Sequence, residues 1–178
     1  MLSLRELRRK ARLALGLGWR DWADLAVAAA ALARARIVFA RLAPKDLVAR
    51  LQGGAAAGNP DAPPDTAPET ALDMPPDMSP DPGTAALLAR LDWSIGAAAN
   101  ALPWRTDCLI RCLAADALLR RRGLVPDFFI GVRKAGDGAL AAHAWVYCQG
   151  VPVAGGDGTG FDVLIGPGKG ASKGEGAG

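Results

Sequence analysis

Thr106-Asp107-Cys108-Leu109-Ile110-Arg111-Cys112 runs on to Leu118-Leu119-Arg120-Arg121-Arg122-Gly123, and this stretch decides how the chain is read. Thr106 or Asp107 can cap a helix, the apolar positions recur at helical spacing, and Gly123 supplies a left-handed stop. Two short segments follow in which the pattern changes. Phe128-Phe129-Ile130-Gly131-Val132 and Ala142-His143-Ala144-Trp145-Val146-Tyr147 are β-branched and aromatic, so they are predicted strands. Gln149-Gly150 makes a turn, and a third strand begins over Val151 to Val153.

Working outward, the segment before this region predicts a further helix through Leu87, Leu88, Leu91, Ile95 and Ala98, ending near Pro103. From Gly53 to about Gly83 the chain carries Pro60, Pro63, Pro64, Pro68, Pro75, Pro76, Pro80 and Pro82 among acids and alanines. That composition cannot build a core and predicts an extended spacer. Upstream, Leu4, Leu7, Ala11 and Leu15 mark a first helix punctuated by Gly16–Gly18. A second begins near Trp19–Asp21, with Asp21 as N-cap, and runs towards Leu42, and Pro44 starts a short third. The expected organisation is a helical region over 1–52, a Pro/Asp-rich linker over 53–84, a helix-and-strand domain over 85–166 and a Gly-rich tail over 167–178.

Composition narrows the function. The chain has 178 residues, of which 22 are Gly and 13 Pro, so the core is smaller than the length suggests. A net charge of +3 hides an N-terminal cluster of Arg5, Arg8, Arg9, Lys10, Arg12 and Arg20 and an acidic stretch from Asp61 to Asp81. No interleaving of basic and aromatic residues accompanies the cluster, which argues against nucleic acid as a partner. The uncharged run Leu25 to Ala33 is too short to span a membrane, and a helical packing layer is the expectation there rather than a membrane-surface helix. Three cysteines, an odd number without a secreted disulfide spacing, point to a reducing cytoplasm.

The chemistry concentrates on Cys108. It falls in the first turn of its helix, where unpaired N–H groups and the helix dipole favour a negative sulfur, the nucleophilic form. The chain offers one proton carrier, His143, on a strand 35 positions later. A carboxylate is then expected to orient the imidazole. A tight turn at Gln149-Gly150 puts Gly156 opposite His143, and one extra residue, as in a bulge at Gly155-Gly156, puts Asp157 there instead. Asp157 is therefore the candidate third residue and Asp162 the alternative. Cys112, one turn after Cys108, is expected to be a buried apolar residue. A zinc site from Cys108, Cys112, Cys148 and His143 is disfavoured, because His143 and Cys148 lie an odd number of positions apart and face opposite ways in a strand. No phosphate-binding loop is present, so ATP is not supported, and with zinc disfavoured neither cofactor nor metal is expected.

The run Leu102-Pro103-Trp104-Arg105-Thr106-Asp107-Cys108-Leu109, with Leu118 to Gly123, Ile130-Gly131-Val132-Arg133-Lys134 and Ala142-His143-Ala144-Trp145-Val146, resembles the transglutaminase-like leader peptidases of lasso-peptide biosynthesis. The motifs occur in the same order over about Leu102 to Ile165. The resemblance implies an α+β, papain- or transglutaminase-like fold, in which the nucleophile helix packs on a small antiparallel sheet behind an N-terminal helical region. It also implies Cys108 and His143 as the catalytic pair, with an acid in the next strand near Asp157. A common form of the family carries that acid two residues earlier, where this chain has Gly155. The implied function is a cysteine peptidase that removes the leader from a ribosomally made precursor peptide. Implied partners are that precursor, a separate leader-recognition protein and an asparagine-synthetase-like lasso cyclase. An acyltransferase using the same triad, and a non-catalytic scaffold of the maturation complex, are the alternatives.

Overall fold

The computed structural model describes residues 16–42, 79–134, 136 and 138–167. The expected helices before Gly16 and after Pro44, most of the Pro/Asp-rich segment and the Gly-rich tail lie outside the described residues. Helix α1 spans Trp19–Arg41. Asp21 is not its N-cap. Gly18 takes that place, and Asp21, three positions in, reaches back so that its carboxylate accepts the Gly18 N–H at 3.0 Å. Helix α2 spans Pro82–Ala101. It starts inside the segment expected to be spacer because Asp81 accepts the N–H groups of Gly83 (2.9 Å) and Thr84 (3.2 Å), and Pro82 at the first position has no N–H to satisfy. Helix α3 spans Cys108–Arg120, with Asp107 at the N-cap. Gly123, at φ +74°, ends it, and the Leu124 N–H returns to the Leu119 carbonyl at 3.1 Å.

Strands β1 (Asp127–Lys134) and β2 (Leu140–Cys148) pair antiparallel over their length, with Gly131 opposite His143. Gln149 and Gly150 both take positive φ and close a two-residue hairpin into β3 (Val151–Ala154). A fourth strand, β4 (Asp162–Ile165), adds to the other side of β1, giving the order β3-β2-β1-β4. The described residues thus form three helices and a small antiparallel sheet, the α+β class expected.

One face of the sheet meets the helices. Helices α2 and α3 pack on β2 and β3, and α1 packs on α2 and α3. Ala28, Leu32 and Ala35 of α1 share a continuous core with Leu88, Ile95, Cys112, Leu119, Val146 and Val153. The helical packing layer is therefore part of the main core, and its burial removes apolar surface from water at about 25 cal/mol per Å². Arg90 of α2 ties α1 at its edge, pairing with Asp21 and Asp24. The opposite face carries a second cluster of Phe129, Trp145 and Tyr147, flanked by Phe161 and Val163. Among the described residues, no helix is long and apolar enough to cross a membrane.

Candidate active site

Cys108 is the first residue of α3, and a short loop decides where it sits. The Thr106 hydroxyl donates to the Ala99 carbonyl (3.3 Å), and the Arg111 guanidinium donates back to the Thr106 carbonyl (3.1 Å). Arg36 of α1 reaches the Arg105 carbonyl at 3.4 Å. The loop is thus tied to all three helices before the chain turns into Cys108. An open depression of about 300 Å³ lies beside it, lined by Ala99, Trp104, Arg105, Thr106, Asp107 and Arg111.

The three cysteines differ sharply. All are free, but Cys108 is partly exposed while Cys112 and Cys148 are buried. Burial pushes the Cys112 thiol well up, and Cys108 nearby adds to the effect. Cys148 is pushed up to about 11, first by burial and then by the charge of Asp127. Neither buried sulfur is suited to nucleophilic attack.

His143 lies on the aromatic face. Its ring stacks on Trp145 at 5.9 Å and tilts against Phe161 at 5.0 Å, while the Arg133 guanidinium lies over the Phe161 ring at 4.7 Å. Gly131, its cross-strand partner, leaves the space these rings need. A Cβ there would stand 2.7 Å from Trp145 and 2.8 Å from the Asp162 carbonyl. Alternation sends Ala144, Val146 and Cys148 to the helix face, so His143 and Cys148 point to opposite sides. Cys108 packs against the helix-side core. Among the described residues no hydrogen bond joins it to His143.

The third position departs from expectation. Val146 pairs with Ala154 and Tyr147 with Pro152, so a bulge does add one residue, but at Val153 and not at Gly155-Gly156. The strand then stops at Ala154, before Asp157 can come opposite His143. Instead the Asp157 carboxylate accepts the Thr159 N–H at 3.1 Å, a bond that holds its pKa below the usual value. Asp162 is exposed on β4, alternating with Phe161 and Val163, which pack on the aromatic cluster. The structure brings neither carboxylate to the imidazole by a hydrogen bond. What meets it is the Gly155 carbonyl, 2.6 Å from Nε2. Sequence reasoning missed this partner because a backbone oxygen carries no residue signature. The nearest signal was the run Gly155, Gly156, Gly158 and Gly160, all at positive φ.

No curated protein and no solved structure matches this chain. A family model described as the transglutaminase-like superfamily matches residues 4–165, which spans α1 as well as the helix-and-sheet unit that carries Cys108 and His143. With nearly its whole length covered by that match, the chain belongs to the transglutaminase-like superfamily.

Proposed function

We propose that the protein is a cysteine peptidase whose nucleophile is Cys108 and whose acid–base group is His143. Membership of the superfamily points to cysteine-protease or acyltransferase chemistry. The observation that carries the assignment to Cys108 is its place as the first residue of α3, partly exposed, while the other two thiols are buried. His143 is the only imidazole in the chain. In the proposed reaction the Cys108 thiol passes its proton to the imidazole, and the sulfur attacks the amide carbon. The C–N bond breaks as the imidazolium returns the proton to the departing amine, leaving a thioester. Water, deprotonated by the imidazole, then attacks the thioester. The peptide acid departs and the thiol is restored. The Cys108 backbone N–H, at a helix start, is the oxyanion donor in this scheme. Among the described residues no hydrogen bond joins the two groups, so this reading requires that the substrate complex bring Cys108 and His143 together.

The motifs from Leu102 to Ile165 support a leader peptidase acting on a ribosomally made lasso-peptide precursor. We assign it a separate leader-recognition protein and an asparagine-synthetase-like cyclase as partners. Three free cysteines support a reducing cytoplasm as its compartment.

Alkylation by limiting iodoacetamide near pH 6, followed by intact mass and peptide mapping, tests this reading. An ordinary thiol of pKa about 8.5 is only about 0.3 % thiolate at that pH and labels slowly. Rapid labelling confined to Cys108, and slowed at least tenfold by His143→Ala, is the expected result. Equally slow labelling of Cys108 in both proteins sinks it. With a precursor peptide in hand, product mass separates the two chemistries. Hydrolysis adds water, whereas transfer to an amine leaves a new amide.

A further inference from the structure

A carbonyl oxygen can only accept a hydrogen bond, so the 2.6 Å contact between Gly155 and His143 fixes which ring nitrogen carries the proton. We propose that the Gly155 backbone carbonyl is the positioning group of the site: it holds His143 in the Nε2–H tautomer and leaves Nδ1 bare as the base. The inference rests on the proposed role of His143, but its geometry stands without it.

Three features hold that carbonyl in place. Gly155 has φ +84°, and a Cβ on it would stand 2.3 Å from the Ala144 carbonyl oxygen and 2.8 Å from the Trp145 Cα. Both neighbours are backbone atoms of β2, so no other residue fits without moving the strand. Beyond it, the Tyr147 hydroxyl donates to the Asp157 carbonyl at 3.0 Å, which pins the loop to the aromatic face. Gly158 then lies directly on the Trp145 indole, where a Cβ would come within 2.4 Å. The ring itself is enclosed by Trp145 and Phe161, so turning it would break the Nε2 bond and disturb two aromatic contacts.

The choice of acceptor has a chemical consequence. A carboxylate would orient the ring and also stabilise the imidazolium by charge, since charge-assisted hydrogen bonds are roughly twice as strong as neutral ones. A carbonyl orients the ring and offers only its dipole. The Asp157 carboxylate, two residues on, accepts the Thr159 N–H, and among the described residues no hydrogen bond joins it to the ring.

The single histidine makes the test direct, because ¹⁵N-histidine labelling of the full chain gives one set of ring signals. Long-range ¹H–¹⁵N correlation above the imidazole titration should show a protonated Nε2 and a bare Nδ1 in the wild type. Asp157→Asn and Cys108→Ala should show the same pattern. A protonated Nδ1, or two averaged nitrogens, in the wild type overturns the proposal. So does a pattern that is lost in Asp157→Asn, which would make that carboxylate the holder. The peptidase reading fails separately. If Cys108 does not label rapidly while the Nε2–H signature persists, Gly155 positions the ring but the pair does not do the chemistry. Rapid labelling with averaged nitrogens sinks the role of Gly155 alone.

Discussion

Strand β2 shows two different environments on its two faces. Towards the helices, Ala144, Val146 and Cys148 enter an aliphatic core in which Leu32, Leu88 and Leu119 are fully buried. Towards the other side, His143, Trp145 and Tyr147 stand among Phe129 and Phe161, with polar tips bonded to the Gly155 and Asp157 carbonyls. The first face is held mainly by close packing of aliphatic side chains. The second is held by directional contacts: stacked rings, two side-chain-to-backbone hydrogen bonds and a loop of glycines at positive φ. The helix face should therefore govern stability, and the aromatic face should govern the placement of the imidazole.

The largest effect expected is on the helix face. Leu32→Ala removes a fully buried side chain of α1 and should cost about 2–5 kcal/mol. Urea unfolding should keep a single transition, shifted to lower denaturant. A separate early transition, or a loss below about 1 kcal/mol, would show that α1 is not part of the shared core.

On the aromatic face, Gly155→Ala should cost roughly 2–4 kcal/mol, because strain at positive φ adds to overpacking against β2. Gly156→Ala is the matched control. It shares the positive φ, but its Cβ would meet nothing within 4 Å, so about 1 kcal/mol is expected. Similar losses from the two, measured by thermal unfolding, would mean that the close approach of Gly155 to β2 contributes nothing. The His143 ring signals should change in Gly155→Ala and stay put in Gly156→Ala.

The smallest effect concerns Asp127, which faces Tyr147 in the β1–β2 register. Burial raises its pKa above 3.8. A carboxyl raised on folding favours the folded state when protonated, so its contribution is fully present below the unfolded pKa and is lost as pH rises through the folded one. Asp127→Asn should thus be more stable than the wild type at pH 7, by under about 1 kcal/mol, with the gain gone near pH 3. An unchanged difference across that range would mean that burial does not penalise the charge.

Much of this was legible from residues alone. Period-2 alternation in β2 put His143 and Trp145 on one face and Cys148 on the other, as observed. A start at Thr106 or Asp107 and the Gly123 stop of α3 followed from capping chemistry, which put Cys108 in the first turn; the structure sets the cap at Asp107 and Cys108 first. The hairpin at Gln149-Gly150 was equally clear, whereas an extra residue was one of two registers the sequence allowed, and its place in β3 was not legible. A bulge at Val153 moves the register because Val153 is drawn fully into the helix-side core, and only packing across the sheet could determine that.

The sequence by itself determined the succession of helix and strands from Thr106 to Val153 and the capped helix whose first turn holds Cys108, because local periodicity and caps act within a few residues. Tertiary structure alone decided that α1 joins the main core, that β4 adds to β1, and that a carbonyl rather than a carboxylate meets the imidazole. Each of these depends on which distant surfaces come together, and the last on a backbone atom that every residue possesses.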